Sequence, residues 1–348
     1  EAPSLEAATE ADVERAVAAA RRAFDSGVWS RAAPAARKKV LHAIADRIEA
    51  EALDLAVLGV RDNGTELAMA LKAEPGSAAG TFRYYAEALD KVNGEIAPTA
   101  PDVLGLVHRM PVGVVGAIVP WNFPLMIGAW KLAPALSMGN SVVLKPAETA
   151  SLSLLRLAQI CADCGLPDGV LNVVTGAGAE TGSALALSMG VDVLAFTGSG
   201  VTGRRLLEAS ARSNLKRVYL ELGGKSPNVV FADAPDLREA AKVSAAGIFR
   251  NSGQVCVAGS RLLVQASVHD EFLALLKAEA EALRVGDPLA EGTQIGAVNS
   301  EAQLARVLSF MEGAGEIVTG GARVLENTGG TYMAPTIVAG GGAQDRLF

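Results

Sequence analysis

From Thr9 onward the chain carries apolar residues at helical spacing: Val13, Val17, Ala20 and Phe24 lie on one face, the stripe of a helix packed on a core. Thr9, with Glu10 and Asp12 behind it, supplies a capped start. A second helix follows Pro34 through Val40, Leu41, Ile44 and Ile48, and the helical pattern continues to Leu58. Between Gly113 and Leu222 it gives way to short β-branched runs at Val114–Val119, Ser141–Leu144, Val170–Val174, Val193–Phe196 and Arg217–Leu220, with amphipathic helices between them. Such alternation predicts an α/β fold with a parallel sheet covered on both faces. The segment Val103–Met110, set between Pro98/Pro101 and Pro111, alternates weakly and reads as an excursion from that sheet, an arm for association. After Gly223 the alternation restarts, with strands at Asn228–Phe231 and Arg261–Val264 and helices over Leu237–Phe249 and Val268–Leu283. The expected organisation is one domain from residues 1–93 and 112–222, an arm over 94–111, and a second α/β domain over 223–348.

Length and composition agree with two cores: 348 residues, half of them apolar, exceed what a single core organises. The net charge of −7 offers no basic field to a phosphate backbone, which argues against nucleic acid as a partner. Three cysteines are too few for a disulfide framework in a chain of this size and suit a reducing compartment, with cytoplasm the expectation. No basic-then-apolar leader follows Glu1, so neither a signal nor a transit peptide is visible. Val112–Trp130 approaches the length of a membrane span but carries Pro120, Asn122 and Pro124 in its middle, and reads as a buried strand followed by a polar-lined turn.

Five segments carry candidate chemistry. Gly198-Ser199-Gly200-Val201-Thr202-Gly203 follows a strand and opens a helix, the context in which glycines let backbone approach a phosphate at a helix N-terminus; a plain tight turn is the alternative. Glu221, about 20 residues on, would then bind the adenosine ribose. Lys145-Pro146-Ala147-Glu148, at another strand end, competes for that ribose through a lysine and a carboxylate. Cys256 stands where a helical stretch meets a glycine-bearing loop, and is either an activated nucleophile or a buried core thiol. Asn122, held in Pro120-Trp121-Asn122-Phe123-Pro124, either donates to a developing oxyanion or caps the next helix. Cys161 and Cys164 form a C-x-x-C at a helix end with no second cluster, which favours packing over metal, and no metal site is expected. His42, His108 and His269 have no catalytic setting, so a cysteine–histidine protease lacks support.

In this order the segments Pro120–Pro124, Lys145–Glu148, Gly198–Gly203, Glu221–Asn228 and Gly253–Arg261 resemble the aldehyde dehydrogenase superfamily over nearly the whole chain. The runs Arg61–Glu66 and Leu71–Ser77 resemble bacterial enzymes acting on ω-amino aldehydes such as γ-glutamyl-γ-aminobutyraldehyde or guanidinobutyraldehyde. The resemblance implies a Rossmann-type cofactor domain, a second α/β catalytic domain, and a homodimer or homotetramer. It gives Cys256 as the nucleophile, Glu221 as the general base and Asn122 as the oxyanion donor, with Lys131 in support. Lys145 and Glu148 then take the ribose, Gly198, Ser199 and Gly203 the phosphates, and Ile118, Pro120 and Trp121 join the cofactor set. Met126 and Trp130 are expected at the aldehyde tunnel or in the core. Glu148 favours NAD over NADP, because a carboxylate at the ribose repels a 2′-phosphate.

Family chains run on from the segment matching Pro335–Val338 into a Glu-x-Phe-Gly-Pro segment that holds the nicotinamide ribose, then into a strand that joins the partner subunit. This sequence ends at Phe348, where that segment would begin. That ending raises a rival reading, a catalytically impaired or non-catalytic protein on the same fold; a second rival, a dehydrogenase that passes its acyl group to CoA, is one against which Glu221 speaks.

Overall fold

In the computed structural model, which describes residues 5–340 and Leu347, Thr9 closes a capping box with Asp12 and starts helix α1 (Glu10–Ser26). The capping box satisfies N–H groups that have no partner inside the helix. Helices α2 (Pro34–Ala50), α3 (Ala52–Asn63) and α4 (Leu67–Ala88) follow, and Pro34 begins α2 at a position where its missing N–H costs nothing. Strands β1 (Glu95–Ala97) and β2 (Gly105–Val107) pair antiparallel, so the excursion predicted from residues 103–110 is one half of a two-stranded ribbon.

Contacts divide the chain into two compact units, residues 1–56 with 73–221 and residues 57–72 with 222–348. Residues 57–72, expected within the first domain, group by contact with the second unit. The backbone accounts for this: Leu67 N–H donates to the Pro288 carbonyl and Ala297 N–H to that of Gly64, each at 2.9 Å.

In the first unit the chain runs through β3 (Val114–Ile118), α5 (Pro124–Ser137), β4 (Ser141–Lys145), α6 (Leu152–Asp163) and β5 (Leu171–Val173). It continues through α7 (Ser183–Leu187), β6 (Val193–Gly198), α8 (Gly200–Arg212) and β7 (Arg217–Leu222). The sheet order is β5-β4-β3-β6-β7, and β3 lies parallel to both β4 and β6. Every residue of β3 and β4 is buried, as expected of central strands covered on both faces. Val13, Val17 and Ala20 of α1 meet Val114, Val143, Leu194 and Phe196 in the main core. Because the order turns back between β3 and β6, a crevice opens at their carboxyl ends, the place where such sheets receive ligands.

The second unit holds β8 (Pro227–Val230), α9 (Leu237–Phe249), β9 (Arg261–Val264), α10 (His269–Glu281) and α11 (Glu301–Leu308). β8 and β9 are parallel, and α9 and α10 pack together around Phe249, Phe272 and Leu276. Val112–Trp130 contains β3 and the start of α5, and no helix among the described residues is long and apolar enough to cross a membrane.

Candidate active site

The register of the parallel strands sets Ile118, Lys145 and Phe196 side by side, so the segments that leave β3, β4 and β6 emerge at one edge of the sheet. Beyond Ile118 come Pro120, Trp121 and Asn122; beyond Lys145 comes Glu148; Gly198 ends β6. Ser199 is the N-cap of α8, its hydroxyl accepting from the Thr202 N–H at 3.2 Å. The positive end of the helix therefore faces the crevice, with backbone N–H groups directed toward an anion. Gly198 has to lack a side chain, since a Cβ there would come within 2.4 Å of the Phe196 ring, and Gly203 is buried one turn into α8. Lys145 is almost wholly buried and sets its ammonium 3.4 Å from the exposed Glu148 carboxylate. Burial pulls the ammonium down and Glu148 opposes that shift. A buried lysine paired with a solvent-facing carboxylate, beside a phosphate-type turn, fits a dinucleotide with its ribose at Lys145 and Glu148.

Asn122 is not the cap of α5; that position falls on Phe123, whose side chain makes no capping bond. The cap comes instead from Glu74 in α4, which accepts the Met126 N–H at 2.8 Å and also the Leu125 N–H. Sequence reading passed over Glu74, although a signal existed: Ala70, Glu74, Ala78 and Phe82 follow at intervals of four and all are buried. A carboxyl group on the apolar face of a helix implies an uncommon partner.

Burial pushes the Glu74 carboxyl up to about 8 from an ordinary 4.5. Between those values the folded chain holds a proton that the unfolded chain releases, so stability falls as pH rises from 4.5 to 8. Glu74→Gln keeps an acceptor for Met126 and removes the titration. Its Tm is expected to overtake the wild type at pH 9, with on the order of 4 kcal/mol of relief, and the advantage to shrink toward pH 5. Thermal scans showing a pH-independent gap would rule this out.

Lys131, on α5, is partly buried; desolvation lowers its ammonium to about 8, against the attraction of the Glu221 carboxylate. Glu221 lies within β7, the outermost strand of the sheet, and is exposed. Lys131 thus feels the charge of Glu221. Trp130 is half exposed beside Tyr84 and Tyr85, with Ser77, Gly80 and Thr81 completing a shallow cavity of about 370 Å³. Met126 meets Glu74 through its backbone, and its side chain is partly buried.

In the second unit Cys256 is exposed, which excludes the core-thiol reading. By contrast Cys161 is fully buried, with its thiol pushed up by desolvation, and Cys164 is raised for the same reason. Ahead of Cys256 the backbone is left-handed at Asn251 (φ 50°), Ser252 (φ 54°) and Gly253 (φ 74°). For the two non-glycine residues that conformation costs roughly 1–2 kcal/mol each. Among the described residues no group of three His, Cys, Asp or Glu side chains is placed to hold a metal ion.

The model of the aldehyde dehydrogenase family matches residues 2–348. The chain is 51% identical over 313 residues to the NADP/NAD-dependent aldehyde dehydrogenase PuuC of Escherichia coli, covering 89% of this chain and 63% of that protein. Among solved structures it superposes on P. syringae indole-3-acetaldehyde dehydrogenase AldA in complex with NAD+ at a TM-score of 0.96, with 47% identity, covering 99% of this chain and 70% of that one. For the γ-glutamyl-γ-aminobutyraldehyde dehydrogenase of Burkholderia cenocepacia the TM-score is 0.93 with 49% identity, covering 95% of this chain and 68% of that one. The chain thus spans under two thirds of its E. coli relative's length, and on sequence and fold alike it belongs to the aldehyde dehydrogenase family.

Proposed function

We propose that the protein oxidises an aldehyde to a carboxylic acid with NAD, through a thioester on Cys256. The observation that carries this reading is the exposure of Cys256 at the end of a strained loop while the other two thiols are withdrawn and disfavoured as thiolates. The Cys256 thiolate adds to the carbonyl carbon, and the Asn122 amide and the Cys256 N–H hold the oxyanion that forms. Lys145, Glu148, Gly198, Ser199 and Gly203 would hold NAD, which would supply the hydride acceptor. Loss of hydride from the thiohemiacetal on Cys256 leaves the thioester. Glu221 then takes a proton from water, the hydroxide adds to the acyl carbon, the C–S bond breaks and the acid departs. Lys131, charged below about pH 8, supports Glu221.

The exposed Glu148 carboxylate favours NAD, since it would repel a 2′-phosphate. An ω-amino aldehyde is the proposed substrate class, in keeping with the name of the B. cenocepacia relative and with the Arg61–Glu66 and Leu71–Ser77 runs. The β1–β2 ribbon exposes Ile96, Leu104, Leu106 and Met110, each more than two thirds accessible, and this apolar surface suits association of like copies into a dimer or tetramer. Three free thiols fit a reducing compartment, which we take to be the cytoplasm.

Kinetics of the full-length protein on short-chain, aromatic and amino aldehydes, with NAD and with NADP, test the reading. Carboxylic acid and NADH in equal amounts are expected, with kcat/KM at least about tenfold higher for NAD, the size of one unfavourable charge contact. Acyl-CoA formation on adding CoA would favour the acylating reading, and cofactor binding without turnover across the panel would favour the non-catalytic one.

A further inference from the structure

Two residues of the α3–α4 turn reach the strained loop ahead of Cys256. The Thr65 hydroxyl donates to Asn251 Oδ1 at 2.7 Å, and the Asn251 backbone N–H donates to Glu66 Oε1 at 3.2 Å. Asn251, Thr65 and Glu66 are each almost wholly buried. The other oxygen of the Glu66 carboxylate, Oε2, has no partner among the described residues, and burial pushes the carboxyl up. Further along, Ser252 donates its hydroxyl to the Gly296 carbonyl at 2.9 Å, and Gln254 joins the Asn251 carbonyl to the Asn299 N–H.

The turn that carries Thr65 and Glu66 is itself fixed. Gly64 is left-handed (φ 76°), and a Cβ on Gly296 would fall 2.1 Å from the Gly64 carbonyl oxygen. Backbone meets backbone there with no room for adjustment. A left-handed run containing two non-glycine residues persists only when its surroundings over-determine it, and here those surroundings include Thr65 and Glu66. Only Gln254 and Val255 separate Gly253 from Cys256, so relaxation of φ at Asn251 or Ser252 would redirect the Cys256 thiol and its N–H.

From this we infer that Thr65 and Glu66 are positioning residues for the nucleophile: they hold Asn251–Gly253 left-handed and thereby fix the orientation in which Cys256 is presented. The inference rests on Cys256 being the nucleophile. Its test reads the thiol directly, so that the two ideas fail separately. In the full-length protein, Thr65→Val removes the hydroxyl at nearly constant shape and Thr65→Ser restores it. Alkylation by iodoacetamide, followed by mass spectrometry on the Cys256 peptide, is expected to slow at least threefold in the valine variant and to return within twofold of wild type in the serine variant. On an amino aldehyde, kcat should fall about tenfold in Thr65→Val with KM within twofold. A valine variant alkylated at the wild-type rate overturns the inference. If that variant does not fold, Glu66→Gln, which weakens the bond to the Asn251 N–H, is put to the same two measurements with the same decision. A slowed alkylation together with full activity in a Cys256-less protein would instead retain the clamp and sink the proposed function.

Discussion

Cys256→Ala is expected to lower aldehyde-dependent NADH formation by on the order of 10³-fold or more, because the nucleophile that divides the reaction into two easier steps is gone. No other thiol of this chain is fit to replace it. Cys161 is fully enclosed, and Cys164 sits at the end of α6 with its thiol raised by desolvation. The edge proposed for the dinucleotide lies on other elements, so the variant should bind NAD with unchanged affinity. That combination, intact cofactor binding and lost turnover, separates a chemical role from a folding defect. Activity within tenfold of wild type would show that the thioester route is wrong.

Glu221→Gln is the second large effect, and it discriminates between the two tasks that its sequence context leaves open. A general base contributes about 10²–10⁴-fold to rate, so steady-state turnover should drop by that amount. Acylation does not need the base, and a burst of one NADH per site should precede the slow phase. Intact-mass measurement during that phase should find the acyl group on Cys256. If Glu221 instead held the adenosine ribose, the variant would bind NAD weakly and show no burst. The place of Glu221 in β7, with its charge felt by Lys131, supports the base reading, and the pairing of Lys145 with Glu148 at the neighbouring strand end leaves the ribose another partner.

Local pattern made much of this legible. Thr9 begins α1, Arg261–Val264 is β9 and Leu237–Phe249 is α9, because capping chemistry and hydrophobic period act over a few residues. β6 and β7 each run two residues further than their apolar runs, which brings Gly198 and Glu221 inside strands. Hydrogen bonding continued past the point where side-chain pattern faded. The supports of the site were hidden for a different reason. Glu74 meets Met126 across 52 positions and Thr65 meets Asn251 across 186, and such pairs leave no periodicity to read. The left-handed Asn251 and Ser252 were equally silent, since asparagine tolerates that region and serine gives no sign of it.

The crevice between β3 and β6 has a consequence for how this molecule tolerates change. Its walls are strand ends and the N-terminus of α8, whereas the turns that lead into each parallel strand lie at the opposite edge of the sheet. Insertions or deletions in those turns should therefore leave the proposed cofactor cradle untouched, whereas a one-residue slip in β3, β4 or β6 would dismantle it at once. Lineages descended from such a chain are free to remodel surface length and substrate preference around a cradle whose dimensions are pinned by strand register.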